Sequence, residues 1–431
     1  MDKAFCENCF AILEEELLPA MGCTEPIAVA YAAALARETL GKMPSRAEIA
    51  VSGNILKNVK SVVVPNTGGL RGVAAAVAAG IAVGNAKKKL EVLSEVGKQE
   101  IEAIKACLEE CSFSVSQSRT GCVFDIGVRV FAEDKDAFVR IEGCHTHVVR
   151  VESCGKVLYD DETGEAKTAV DGEEKCGADR KILTVKNIFE FAESADVERL
   201  EKTVGRQIAY NAAIAQEGLK NEYGASVGRV LSDAFGDSVH NRARAFAAAG
   251  SDARMNGCAL PVVIVSGSGN QGMTASLPVV VYAEALRVSR EKLLRAVALS
   301  DLLTVHLKTG IGRLSAYCGA VSAGCAAGAA VRYLYGGGYQ EVEETLSNAL
   351  AIDSGIICDG AKSSCAAKIA SAVDAGLLGM EMNRRGKKFC GGDGILERNV
   401  ETTIDNVGDI ARNGMRETDE EIIRLMIKSC N

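Results

Sequence analysis

A chain of 431 residues can bury a large core and is long enough for two or three domains. Its 49 Lys and Arg against 57 Asp and Glu leave a formal net charge of −8, mixed in sign, with no basic tract to suit a nucleic acid. Sixteen cysteines in so long a chain argue against a disulfide scaffold, which belongs to small secreted domains, so most are expected to be small buried hydrophobes in a reduced, cytoplasmic protein.

Scarce Pro (6) and abundant Gly (44) and Ala favour closely packed small-residue helices. The opening MDKAFCENCFAILEEELLPAMG lacks a basic segment followed by an apolar one, so no signal peptide is evident. The long uncharged runs are 314–331, dominated by Ala, Gly, Ser and Cys, and 255–283, broken by Pro261, Pro278 and a Gly cluster. Neither reads as a membrane span.

Residues 2–18 carry Phe5, Cys9, Ile12 and Leu13 at helical spacing, and Pro19 and Gly22 end that helix. CTEP (23–26) opens a second helix that stops at Gly41, with Thr24 as N-cap and Pro26 in the first turn. Cys23 then sits just outside a helix N-terminus, where the macrodipole favours a thiolate. Short strands are expected at 46–51 and 61–64 around a turn, SGNILKN. PNTGGLRG leads into an Ala-rich helix over 73–83, and the lysines at 87–89 read as a solvated helix end. From 111 to 161 apolar and polar residues alternate, which predicts an antiparallel sheet. A polar linker is expected at 163–179. Beyond 184 the pattern is helical, with helices at 295–308, 314–335, 341–352, 364–378, 400–415 and 419–428 and no fixed-period repeat.

Cys318, Cys358 and Cys365 have small neighbours (Gly319, Gly360, Ala366) that leave room for a bulky inorganic group. Cys358 follows Cys318 by 40 residues and precedes Cys365 by 7, which matches no common zinc pattern. On one straight helix the last two would stand roughly 10 Å apart. Residues 359–361 should therefore turn, with Ser363 or Ser364 capping the helix that carries Cys365. On this ground alone, ligation of a metal or iron–sulfur cluster and plain structural burial stay level. As ligands, three thiolates rather than four would leave one iron open as a Lewis acid. Cys325 reads as packing. SGSGNQG (266–272) is either an anion nest or a plain loop, and PNTGG (65–69) offers similar groups. His306, Lys308 and Arg313 either orient a carboxylate or end a solvated helix. His145 and His147 alternate on a strand, where surface histidines are a simpler reading than a metal pair.

Taken together, GCTEPIAVA, SGNILKN, PNTGG, SGSGNQG, IGRLSAYCG, CDGAKSSCA and the tail TIDNVGDIARNGMRETDEEIIRLM resemble the L-cysteine desulfidase family over nearly the whole chain. That family is related to the α-chain of iron–sulfur L-serine dehydratases. The resemblance implies a [4Fe–4S] cluster with one open iron, held by Cys318, Cys358 and Cys365, with Cys23 nearby as base or protector. It implies removal of sulfide from L-cysteine to give 2-aminoacrylate, then pyruvate and ammonia, without pyridoxal phosphate. Within its motifs Lys57, Asn66, Thr67, Ser266, Ser268, Asn270 and Arg313 are the expected substrate-holding residues.

The expected fold is α+β. N-terminal helices (1–44) would pack on the helical portion, beside a portion with a mixed or antiparallel sheet (45–180) and an all-α cluster-binding portion (181–431). The expected partner is a small amino acid, with no nucleic acid or membrane, and a homo-oligomer is left open. Rival readings are the same chemistry on L-serine and a non-catalytic iron–sulfur or redox-sensing protein.

Overall fold

The computed structural model of this chain describes residues 2–161, 178–312 and 314–428. Arg313 and nearly all of the linker expected at 163–179 lie outside them. Helix α1 (Lys3–Glu16) starts at Asp2, whose carboxylate accepts from the Ala4 N–H at 3.2 Å, and buries Cys9, Ile12 and Leu13. Strand β1 (Pro19–Met21) leads to α2 (Thr24–Leu40), so rich in Ala and Val that nearly every side chain is buried. Gly41 ends α2 in the left-handed region, φ 73°. Next, β2 (Arg46–Val51) runs into α3 (Gly53–Val59), where Ser52 Oγ accepts from the Ile55 N–H. SGNILKN is therefore a short helix rather than a turn. Seven residues are too few for periodicity to show, and the serine cap is its local signal. The strand expected at 61–64 is absent, and a single bridge joins Val63 to Arg71 there.

Helices α4 (Val73–Val83) and α5 (Lys98–Glu110) precede strands β3 (Ser112–Gln117), β4 (Asp125–Ala132), β5 (Lys135–Glu142), β6 (Val148–Ser153) and β7 (Lys156–Asp160). They form a six-stranded sheet in the order β3-β2-β4-β5-β6-β7. β3 runs parallel to β2, because the intervening helices carry the chain back across the sheet, and the other neighbours are antiparallel. Ile126, Val128 and Val130 on β4 and Ala137, Val139 and Ile141 on β5 are buried on alternate positions, and α2 packs on these strands.

The rest is helical: α6 (Val185–Ser194), α7 (Val197–Lys220), α8 (Val227–Phe235), α9 (Val239–Met255), strand β8 (Pro261–Val263), α10 (Gly269–Leu286), α11 (Arg290–Ile311), α12 (Gly319–Leu334), α13 (Tyr339–Ile352), α14 (Cys365–Arg384), α15 (Val400–Asp409) and α16 (Arg416–Lys428). Where the pattern predicts helix from 314, the segment before Gly319 is irregular. Where it predicts one helix over 400–415, a wide π turn at Ile410–Gly414 separates α15 from α16. The N-terminal elements divide. β1 pairs with β8, and α1 lies against α11, whereas α2 lies on α4 and the sheet.

Helix α12 packs against α10, α11, α13 and α14. Its seam with α14 is backbone on backbone. A Cβ on Gly324 would come 2.4 Å from the Ala372 carbonyl oxygen, and one on Gly376 would come 2.1 Å from that of Gly324. Among the described residues no helix is long and apolar enough to cross a membrane. The architecture is α+β, as expected.

Candidate active site

The α12–α14 seam sets the first two thiols. Gly324 lies opposite Ala372, and Gly328 opposite Gly376, so the two helices run parallel from a common end. Cys318 immediately precedes α12, and Cys365 is the first residue of α14. Cys358 joins them through a short antiparallel bridge between Tyr317 and Ile357. The Cys318 N–H donates to the Ile356 carbonyl at 2.9 Å and the Cys358 N–H to that of Ala316 at 2.6 Å. Positions flanking an extended pair share a face, so both thiols meet on one side. The expected turn follows: Gly360 has φ 94°, and a Cβ there would lie 2.3 Å from the Lys57 carbonyl oxygen. Ser364 stands at the start of α14 without a capping bond, and the Ser363 hydroxyl donates to Asn256 Oδ1 at 2.8 Å instead.

One cleft is lined by the three thiols and Cys23, with Glu25, Asn58, His145, Arg254, Ser266, Ser268, Asn270, Gln271 and Lys308. Four helices begin on it: Cys23 precedes α2, Ser268 precedes α10, Cys318 precedes α12, and Cys365 opens α14. Each start presents the positive end of a helix dipole, so the cleft favours anions.

The thiols are not equivalent. The bond it shares with Cys318 pulls Cys358 down to about 6 against its own burial, with Lys57 and Lys368 adding to the effect. The same bond, with burial, pushes Cys318 well up. Burial also raises Cys365. Cys23 is not the thiolate that its position before a helix predicts. Burial and the Glu25 carboxylate push its pKa well up, and its thiol donates to Glu25 Oε2 at 3.1 Å. Glu25 also accepts from the Thr24 hydroxyl at 3.1 Å and from Asn58 Nδ2 at 2.9 Å. Burial works against its charge, yet His145, the Cys23 bond and Arg254 hold its carboxyl below the usual range.

Ser266, Ser268 and Asn270 line the cleft as the motif implies. Ser266 and Gly267 take φ 47° and 74°, both left-handed as in a tight hairpin turn, and the turn's N–H groups are bonded within the protein: that of Ser268 donates to the Val265 carbonyl at 3.0 Å and that of Ser266 to Glu16 Oε2 at 3.0 Å. Arg254 braces this loop against the Cys23 turn, donating from Nη1 to Asn270 Oδ1 at 3.1 Å and from Nε to the Gly22 carbonyl at 2.8 Å. Asn66 and Thr67 are not among the lining residues. Asn66 Nδ2 donates to the Leu93 carbonyl at 2.9 Å, and the Thr67 hydroxyl to that of Val64 at 2.7 Å. Their motif acts indirectly, since Pro65 backs Gly22, where a Cβ would come 2.2 Å from Pro65 Cγ. Lys57 lies behind the cleft wall, and Arg313 is outside the described residues. His306 pairs with Glu401 at 2.7 Å away from the lining, whereas Lys308 is part of it. Cys325 is fully buried inside α12.

Sequence reasoning passed over Glu25, Asn58, Gln271 and Arg254. The first three sit inside the motifs, so their neighbours were the available signal. His145 corrects a reading: it lies on the turn after β5, buried edge-on against Phe124 at 4.8 Å, and faces the cleft rather than solvent. His147 stays outside, bonded to Asp161 at 2.9 Å.

Among the described residues no three His, Cys, Asp or Glu side chains are placed to share one metal ion. A four-iron cluster asks for something different, one thiolate per iron. The donor set fits that group: three thiols and the positive ends of four helices share the cleft. Three lining residues also carry buried polar atoms without a hydrogen-bond partner among the described residues, Asn54 Oδ1, Gln271 Oε1 and Tyr317 Oη.

Residues 87–424 match the family model described as serine dehydratase alpha chain. A UPF0597 protein of Desulfitobacterium hafniense is 53% identical over 420 residues, covering 97% of this chain and 96% of the relative. UPF0597 proteins of Finegoldia magna and Treponema denticola are 44% and 42% identical, covering 98% and 99% of this chain and 100% and 99% of their own.

Proposed function

We propose, from the premise that this chain belongs to the serine dehydratase alpha chain family, that it removes sulfide from L-cysteine by β-elimination. The products would be 2-aminoacrylate and then pyruvate and ammonia. Membership makes it a lyase-type enzyme of iron–sulfur, serine dehydratase-like chemistry. The observation that carries the cluster chemistry is the meeting of Cys318, Cys358 and Cys365 with Cys23 on one cleft where four helices begin, and the choice of L-cysteine as substrate rests on the motifs' resemblance to the desulfidases. Bound to the three thiolates, a [4Fe–4S] cluster supplies an open iron, a Lewis acid that makes sulfide a better leaving group.

The protein's own groups do the rest. The start of α10 at Gly269 and Asn270 receives the substrate carboxylate, with Asn270 held in place by Arg254. Cys23 and Glu25 manage the α-proton as a pair. The proton passes from Cα to the Cys23 sulfur while the thiol's own proton moves to Glu25 Oε2, so no free thiolate has to exist in the buried site. The electron pair left on Cα forms the new double bond as the C–S bond breaks. The family description favours a second reading, loss of water from L-serine by the same steps. Anaerobically purified protein given each amino acid separates them: sulfide from L-cysteine, abolished by Cys358→Ala, supports the first, and pyruvate from L-serine with no sulfide from L-cysteine would sink it.

A further inference from the structure

Lys57 is a long cation that is only 2% exposed, and it touches the segments that carry Cys318 and Cys358. Its Nζ donates to the Ser315 carbonyl at 3.4 Å, three residues before Cys318. Its own carbonyl oxygen lies against Gly360, two residues after Cys358, so closely that only glycine fits. Its charge helps hold the Cys358 thiol down, by less than the bond with Cys318 does. Its counter-ion comes from far along the chain: Asp419 Oδ1, on α16, at 2.5 Å. Asn54, a cleft-lining residue, donates to the other Asp419 oxygen at 2.9 Å. Two further contacts seat α16 on α3. Lys60 Nζ donates to the Met426 carbonyl at 2.6 Å, and Ile423 fills the space over Gly53, where a Cβ would come within 2.8 Å of it.

We propose that Lys57 is a positioning residue for the cluster, locking the Cys318 and Cys358 segments together, and that Asp419 sets how much of its charge reaches the Cys358 sulfur. The inference rests on the cluster reading above and goes beyond it. Sequence motifs place Lys57 on the substrate, whereas the structure directs it to the ligands. Lys368, the other cation near Cys358, takes its counter-ion Asp359 from the ligand turn itself, whereas Lys57 takes Asp419 from α16, so the Lys57–Asp419 couple can be altered without touching that turn. An uncompensated cation beside a ligating sulfur favours the more negative, reduced cluster, and removing the cation favours the oxidised one.

The test uses full-length protein reconstituted without oxygen, with a redox titration of the cluster and its rate of loss to a chelator. Lys57→Met is expected to shift the reduction potential negative and to speed cluster loss roughly tenfold, as loss of an outer-shell partner does. Lys57→Arg should restore both in part. Asp419→Asn, which leaves the lysine uncompensated, should shift the potential the opposite way, to more positive values. Loosened packing alone would not send the two variants in opposite directions. Shifts of the same sign, or none, overturn the proposal, and if Lys57→Met fails to fold, the sign of the Asp419→Asn shift decides. Wild-type protein that binds no iron removes the cluster reading and this inference together. Protein that holds a cluster yet releases no sulfide from L-cysteine removes only the substrate, and the opposed shifts still decide the role of Lys57.

Discussion

Glu25 lies two residues beyond Cys23, and its carboxylate takes the Cys23 thiol, the Thr24 hydroxyl and the Asn58 amide together. If it is the terminal acceptor of the α-proton, Glu25→Gln removes that capacity while keeping the shape. Turnover should then fall by about 10²–10⁴ in kcat with a much smaller change in KM, the range typical of a lost general base. An unchanged kcat in steady-state assays would return the role to Cys23 alone. Asp301, on α11, makes a separate point about burial. It is fully buried, accepts from Gln207 Nε2 at 2.9 Å, and burial raises its carboxyl to about 8 from 3.8. The folded state therefore keeps a proton that the unfolded chain gives up above 3.8. This contribution to stability is complete below that value and drains away as pH rises towards 8, by about 1.4 kcal/mol per unit at most. Denaturant midpoints of Asp301→Asn should accordingly fall less between pH 5 and 8 than those of the wild type. Equal slopes would show that Asp301 is charged in the fold.

At the scale of elements, the site depends on α12 and α14 touching along Gly324, Gly328 and Gly376. Gly376→Ala forces a Cβ to within 2.1 Å of the Gly324 carbonyl oxygen. It should cost about 1–3 kcal/mol by overpacking and, by parting the helices, lower the iron bound per chain. Thermal unfolding and iron content read the two effects, and full iron binding in a destabilised variant would show that the seam does not set the spacing of Cys318 and Cys365. Much of this was legible in the chain. AGCAAGAAV announces close helix packing, the alternation over 111–161 announces strands, and CDGAKSSC requires a turn between its cysteines. What local pattern could not show is the bridge between Tyr317 and Ile357, which joins segments 40 residues apart. Nor could it show that β3 turns parallel, or that seven residues after Ser52 wind into α3.

Across the whole molecule, the cleft is a meeting of both halves. The sheet portion sends His145 from the turn after β5, and α2 and α3 send Cys23, Glu25 and Asn58. The helical portion sends the three thiols, the SGSGNQG loop and Arg254. Strand β1, paired to β8, and Arg254, bonded to Gly22, hold the Cys23 turn against the helical portion. Residues within the motifs were readable one by one. His145 and Arg254 were not, because nothing near them in sequence says which surface they will face once the chain has closed. The tail TIDNVGDIARNGMRETDEEIIRLM was legible as part of the resemblance but not in its action, which is to bring Asp419 to a buried lysine more than 350 residues away. The most direct measurement is iron and acid-labile sulfide in protein purified without oxygen, followed by sulfide release from L-cysteine with L-serine in parallel. The account expects four irons per chain, sulfide from L-cysteine, and loss of both iron and sulfide release in Cys358→Ala; protein that carries no iron, or holds its cluster unchanged without Cys358, would contradict it.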